Sequence, residues 1–332
     1  MATPPTDLPV TYSDVTQAAQ VLAGVAVRTP LLENSALNEQ AGGRLLFKPE
    51  SLQVTGSFKF RGAYNHISRL DASVKKTGVL AYSSGNHAQG TAAAAYYCGT
   101  PALIVMPEDA PEVKKHGTAR WGAEIVSYDR YGTKTREDIA ARLAEDRGLN
   151  LVKPYDDRLI MAGQGTVGLE IMQQLSDQTL QADRVLIPCG GGGLTAGVAT
   201  AIKHHNPNAI IHTVEPAGFD DTARSLEFHA WQQADLTAKS FCDALLAPEP
   251  GQMTFQVNRR LCGPGLVVDD SEVATAMAAA FQHLKLVLEP GGAVGLAAAL
   301  SGKVPLDGLT VIVLSGGNVD PNVFSDVLQK CK

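Results

Sequence analysis

The pattern that most limits how this chain can fold is a series of short, mainly apolar runs. Each run ends in a turn of glycine, serine or asparagine and leads into a helix-forming stretch. Gly78-Val-Leu-Ala-Tyr82 gives way to Ser83-Ser84-Gly85-Asn86, then to an alanine-rich segment that closes near Gly99. Ala102 to Pro107 repeats the pattern, with a helix expected from about Pro111 to Arg120. Glu124 to Tyr128 does so again, with a helix from about Thr133 to Arg147. Arg184 to Cys189, Ile210 to Glu215 and Leu309 to Leu314 continue the series. None of these runs alternates polar with apolar residues, so each strand must be covered on both faces. Strands that alternate with helices in this way define an α/β fold with parallel, doubly wound sheets.

At 332 residues the chain exceeds what one hydrophobic core serves comfortably, and two domains are expected. It has no run of eighteen apolar residues and no positively charged leader, which predicts a soluble, cytoplasmic protein with no membrane partner. A formal net charge of -6 without any lysine or arginine block argues against nucleic acid. The five cysteines are odd in number and contain no C-x-x-C pair, so neither a disulfide framework nor a zinc knuckle is indicated; small core residues are expected. The first ten residues, with Pro4, Pro5 and Pro9, read as a loose tail. Residues 229 to 271, rich in Pro, Gly and Gln, read as a long loop region with short helices that serves an interface.

In parallel sheets ligands bind beyond the carboxyl ends of the strands, so the turns there carry the chemistry. Gly190, Gly191, Gly192 and Gly193 follow a strand, and Leu194 continues into a helix. Four adjacent glycines let backbone N–H groups converge at a helix N-terminus, which suits a phosphate dianion better than a plain turn requires. A dinucleotide fingerprint fits less well: Glu215 lies at roughly the right distance for a ribose, but the glycine run is internal to the chain. The turn Ser83-Ser84-Gly85-Asn86-His87 offers hydroxyls, an amide and backbone donors for a carboxylate, or else an ordinary helix cap. Ser315-Gly316-Gly317-Asn318, after the last strand, places Ser315 to meet a ring nitrogen, or is a simple turn. Lys59 stands between Phe58 and Phe60, as a stem laid on apolar surface or as a desolvated amine. A phosphate nest, a carboxylate seat and a lone lysine together point to a pyridoxal phosphate enzyme that acts on an amino acid. A binding protein without catalysis is the competing class.

Six motifs in order strengthen this reading. They are Ser57-Phe58-Lys59-Phe60-Arg61-Gly62, Ser83 to His87, Ala162-Gly163-Gln164-Gly165-Thr166, Gly190 to Gly193, Glu289-Pro290-Gly291-Gly292-Ala293 and Ser315 to Asn318. Together they resemble the serine/threonine dehydratase and serine racemase family of fold-type II pyridoxal phosphate enzymes, which includes 3-hydroxyaspartate dehydratases. The resemblance spans about Thr11 to Asp320. It implies a large cofactor-binding domain of residues 1–52 plus 151–332, an inserted mobile domain of residues 53–150, and the cofactor in the cleft between them. By resemblance Lys59 carries the cofactor and acts as base, and Ser84 is the second acid/base on the opposite face. Phe58, Asn86, Gly190 to Gly193, Leu194 and Ser315 hold the cofactor. Ser83, Ser84, Gly85, Asn86 and His87 line the substrate carboxylate site; Arg136 meets a distal carboxylate, or else is a solvated helix arginine paired with a neighbouring acid. The implied reaction eliminates water from serine, threonine or 3-hydroxyaspartate to give a keto or imino acid and ammonia. Racemisation of a serine- or aspartate-type amino acid is an alternative. So is β-replacement, although His87 stands where the replacing synthases carry threonine. Glu215 and Asp221, six apart across a turn, together with the Phe219 carbonyl, form a candidate site for Mg²⁺ or Mn²⁺, as in relatives with this spacing; the alternative is a helix start enriched in acids. A homodimer is the family expectation.

Overall fold

The computed structural model describes residues 7–331 except Pro111, Arg130 and Lys134. Its described strands are β1 (Leu32–Glu33), β2 (Leu45–Pro49), β3 (Val79–Tyr82), β4 (Ala102–Pro107), β5 (Glu124–Tyr128), β6 (Asn150–Leu151), β7 (Arg184–Pro188), β8 (Ile210–Pro216), β9 (Leu266–Val268) and β10 (Thr310–Leu314). They form a six-stranded sheet in the order β1-β2-β10-β7-β8-β9 and a four-stranded sheet in the order β5-β4-β3-β6. Every pairing is parallel except that of β1 with β2.

The apolar runs are continuous because helices cover both faces. In β10, Ile312 and Leu314 face a core with Val294 and Leu296 of helix Pro290–Leu300. Val311 and Val313 face the opposite core, with Met161 and Ile171 of helix Arg158–Asp177 and Val198 of helix Gly193–His205. The smaller sheet divides likewise, with Ala81 and Ile104 on one side and Leu80, Leu103 and Val105 on the other. Both sheets are thus doubly wound; β5, expected to be covered on both faces, is instead an edge strand whose Glu124 and Ser127 are exposed.

The expected strands and helices appear with boundaries moved by a few residues. The helix expected from Thr133 begins at Arg136, because Thr135 and Asp138 form a reciprocal capping box. The one expected from Pro111 begins at Glu112; Pro111 itself, and Lys134 of the other segment, lie outside the described residues.

Two expectations need correction. Residues 1–6 of the expected tail lie outside the described residues, but its last four are anchored. Val10 is fully buried, and Asp7 pairs with Arg260 at 2.7 Å. Residues 229–271 contain the expected short helices, among them Gln252–Leu261, but also a strand, β9, which extends the main sheet. Of the cysteines, Cys189 and Cys242 are buried, Cys98 and Cys262 half-buried, and Cys331 exposed. No helix among the described residues is long and apolar enough to cross a membrane.

Candidate active site

The carboxyl ends of β3, β7 and β10 open onto one cleft, and their turns line it. Lys59 enters at the first residue of helix Lys59–Ile67. The loop before it is tied to the turn after β10. Gly317 N–H donates to the Gly56 carbonyl at 2.9 Å, Phe58 N–H donates to the Ser315 carbonyl at 3.2 Å, and Ser57 bridges to Gly316. Behind Lys59, Phe60 is buried in the core, and the fully buried Arg61 binds Glu50 at 2.7 Å and Glu170 at 2.6 Å. Two adjacent anchors therefore hold the lysine toward the cleft. Its Nζ donates to the Pro154 carbonyl at 2.7 Å and lies 5.2 Å from the centre of the Phe58 ring. Burial lowers the amine to about 8, against the opposing pull of the Glu289 carboxylate. Of the two readings of an aromatic-flanked lysine, the structure supports the desolvated amine.

Asn86 starts the helix after β3. Its Nδ2 donates to Glu289 Oε1 at 2.6 Å, and its Oδ1 accepts from Asn318 Nδ2 at 2.8 Å. Burial, with a contribution from the Asp243 carboxylate, raises Glu289 to about 7. His87 is pushed down to about 3, by burial first and then by the Lys59 charge. It is therefore neutral, and because its Nε2 lies 2.9 Å from the Val152 carbonyl, that nitrogen carries the proton. Ser83, Ser84 and Gly85 line the same cleft, with Gly85 N–H donating to Ser83 Oγ at 3.2 Å.

Gly190 to Gly193 lie across from this turn, with Gly192 in the left-handed region at a φ of 88°. No side chain caps helix Gly193–His205, so its first N–H groups are left for an anion. Phe58, Leu194 and Ser315 line the cleft as well. So does Arg136, whose guanidinium sits 5.7 Å from the Tyr82 ring centre and whose Nε donates to Glu137 Oε1 at 2.7 Å. A depressed amine, an uncapped glycine turn and neutral hydrogen-bonding groups around one cleft fit pyridoxal phosphate. Glu289, Asn318, Tyr155, Lys114 and Asp243 also line it and went without a role in the sequence reading. Glu289 and Asn318 sat inside motifs already singled out, and their adjacency to proline and glycine at turns was the available signal.

The candidate metal ligands lie apart, after β8. Glu215 is buried and accepts from the N–H groups of Thr222 at 3.0 Å and Ala223 at 2.6 Å. Asp221 Oδ2 is buried without a partner among the described residues. Burial raises Glu215 well above the usual range, and the Asp221 charge adds to it; burial raises Asp221 to about 7. Phe219 is buried beside them in the chain. No group of three or more His, Cys, Asp or Glu side chains assembles among the described residues, so a cation here rests on two carboxylates and a carbonyl.

The model of the pyridoxal-phosphate dependent enzymes matches residues 23–316, and the chain belongs to this family. Its relatives include proteins of several activities. An L-threo-3-hydroxyaspartate ammonia-lyase of Pseudomonas sp is 40% identical over 319 residues, covering 96% of this chain and 98% of that one. An L-threonine ammonia-lyase of Thermotoga maritima is 38% identical over 322 residues, covering 97% and 79%. The structure of maize serine racemase superposes with a TM-score of 0.90 at 35% identity, covering 97% and 98%.

Proposed function

We propose that the chain is an ammonia-lyase that removes water from a small β-hydroxy amino acid, with 3-hydroxyaspartate as the specific substrate. The carrying observation is the Lys59 amine, lowered to about 8 and facing the same cleft as the uncapped glycine turn and Arg136. Pyridoxal phosphate, when bound, withdraws electrons from the substrate Cα and so acidifies its C–H bond. Gly190 to Gly193 seat the phosphate; Asn86, Phe58, Leu194 and Ser315 hold the ring. Ser315 offers the ring nitrogen a neutral hydroxyl, which does not favour a protonated ring. Ser83 to His87 seat the α-carboxylate with backbone and side-chain donors, while His87 stays neutral and supports the loop through Val152. Lys59 Nζ takes the Cα proton, and its lowered pKa leaves part of it unprotonated near neutral pH. Loss of the β-hydroxyl as water, followed by hydrolysis, gives oxaloacetate and ammonia from 3-hydroxyaspartate.

Arg136 supports the dicarboxylate. A guanidinium on the cleft wall offers a carboxylate two parallel donors, which the hydroxymethyl of serine cannot use. The test compares kcat/KM for 3-hydroxyaspartate and serine in wild type and Arg136→Ala. The dicarboxylate should lose roughly tenfold to a hundredfold more than serine. Equal losses would reject Arg136 as the selector.

Racemisation is the second reading, favoured by Ser84 on the cleft that Lys59 also faces and by the likeness to a serine racemase. Under it, Ser84→Ala abolishes formation of the opposite enantiomer and spares elimination. Glu215, Asp221 and the Phe219 carbonyl hold Mg²⁺ or Mn²⁺, supported by the unpartnered Asp221 oxygen. Residues 53–150 act as an inserted domain that closes on substrate, and the active form is a cytoplasmic homodimer.

A further inference from the structure

Helix Gln252–Leu261 carries two buried polar side chains that the proposed chemistry does not use. Thr254 and Asn258, one turn apart, are both fully buried, and a buried hydroxyl or amide costs free energy unless it is bonded. Both are bonded to the glycine turn. Thr254 Oγ1 lies 2.7 Å from the Gly191 carbonyl oxygen and 3.1 Å from that of Gly251, and Asn258 Nδ2 donates to the Gly192 carbonyl at 3.2 Å; the carbonyls of Gly191 and Gly192 also accept from the N–H groups of Gly251 at 3.2 Å and Ala196 at 2.9 Å. In a trans peptide the carbonyl and the following N–H point in opposite directions. These side chains add to the backbone bonds that hold the two carbonyls, and with the carbonyls so held the N–H groups of Gly192 and Gly193 turn the other way, toward the cleft that the glycines line. The contact is close: a Cβ on Gly192 would fall 2.7 Å from Asn258 Nδ2. From another side Tyr155 encloses the turn, since a Cβ on Gly191 would fall 2.4 Å from its ring. The helix is itself fixed by Asp156, whose Oδ1 accepts from Met253 N–H at 2.8 Å and Thr254 N–H at 3.2 Å.

We propose that Thr254 and Asn258 are positioning residues for the cofactor phosphate, which fix two peptide planes of the glycine turn so that their N–H groups converge on the anion. This rests on the reading of Gly190 to Gly193 as the phosphate seat. Neither side chain lines the cleft; each acts through a glycine carbonyl. A site whose donors are held in place before binding does not spend binding energy on ordering them.

The test titrates the apoprotein with pyridoxal phosphate and with pyridoxal, which lacks the phosphate, and reads the two dissociation constants. Thr254→Val, nearly equal in volume, and Asn258→Ala should each weaken pyridoxal phosphate by about tenfold and leave pyridoxal unchanged. Thr254→Ser, which restores the hydroxyl, should restore the wild-type preference. Equal weakening of both ligands, or no weakening of pyridoxal phosphate, overturns the proposal. Melting of each apoprotein checks its folding, and if Thr254→Val fails to fold, Asn258→Ala and Thr254→Ser carry the same comparison. Gly193→Ala tests the underlying reading. If it leaves the preference for the phosphorylated ligand intact, the phosphate seat lies elsewhere and both claims fall. If it removes the preference while Thr254→Val and Asn258→Ala keep it, only the role of the helix falls.

Discussion

At the scale of single residues, the cleft is organised by groups whose titration burial moves from its ordinary range. Lys59 is lowered, Glu289 raised and His87 kept neutral, each chiefly by burial. On the proposed function, Lys59→Ala removes the attachment point and the base together. It should fold normally, lose the visible absorption of the bound cofactor and lose orders of magnitude in turnover; near-normal spectrum and turnover would rule the lysine out. Glu289 makes a prediction about pH. Its carboxyl titrates near 7 when folded, against the ordinary 4.5, so above pH 4.5 the unfolded chain releases a proton that the folded chain keeps. The stability it contributes is present below 4.5 and is lost as pH rises through 7. Glu289→Gln keeps an acceptor for Asn86 but does not titrate. Urea unfolding of the apoproteins should show wild type falling behind Glu289→Gln by up to about 3 kcal/mol between pH 4.5 and 7.5. A difference that is constant with pH would place the proton elsewhere.

At the scale of elements, the turn after β8 brings two carboxylates together inside the protein at a cost, since Glu215 already caps two N–H groups and Asp221 has an oxygen unpartnered among the described residues. If a cation resolves this, Asp221→Asn should raise the melting temperature of chelated protein, while Mg²⁺ or Mn²⁺ should stabilise wild type and not the variant. The same gain from the metal in both proteins would remove Asp221 from the site. What the sequence revealed of the elements follows from burial. β4, β7 and β10 are almost wholly buried and read as apolar runs, whereas β8, equally buried, carries His212, Thr213 and Glu215 among its apolar residues. β1, β6 and β9 are two or three residues long, too short for any pattern. β2 was obscured by Lys48, a charge in a fully buried strand that is explained by its 2.6 Å bond to Glu170, 122 positions away. Helix Arg158–Asp177 carries glycines because helix Gly193–His205 crosses so closely that a Cβ on Gly165 would fall 2.8 Å from the Gly197 carbonyl oxygen. The cleft shows the same division. Lys59, Asn86 and the four glycines stand in local motifs, whereas Thr254, Asn258 and Tyr155 reach the site only through the tertiary fold.

At the scale of the whole molecule, the cleft lies between the two sheets, and its width decides whether water is excluded during the chemistry. Lys114, on helix Glu112–Ala119 beside the smaller sheet, forms an ion pair with Asp243, in a short 3₁₀ turn packed on helix Pro290–Leu300 of the larger one. Both residues line the cleft, so this pair ties its two walls together without belonging to the cofactor seat. Arg136 and Lys114 should therefore differ in kind. On the proposed function, removing Arg136 should affect the substrate that carries a second carboxylate, whereas removing Lys114 should loosen the contact between the walls for every substrate. Because Asp243 is half exposed, the pair is worth no more than about 1 kcal/mol, and Lys114→Ala should raise KM by up to about fivefold. The rise should be the same for serine and for 3-hydroxyaspartate, and high salt should reproduce much of it in wild type. Steady-state kinetics on both substrates at low and high ionic strength decides the matter. A loss confined to 3-hydroxyaspartate would mean that Lys114 reads the substrate itself; a loss common to both and erased by salt would mean that it holds the walls together.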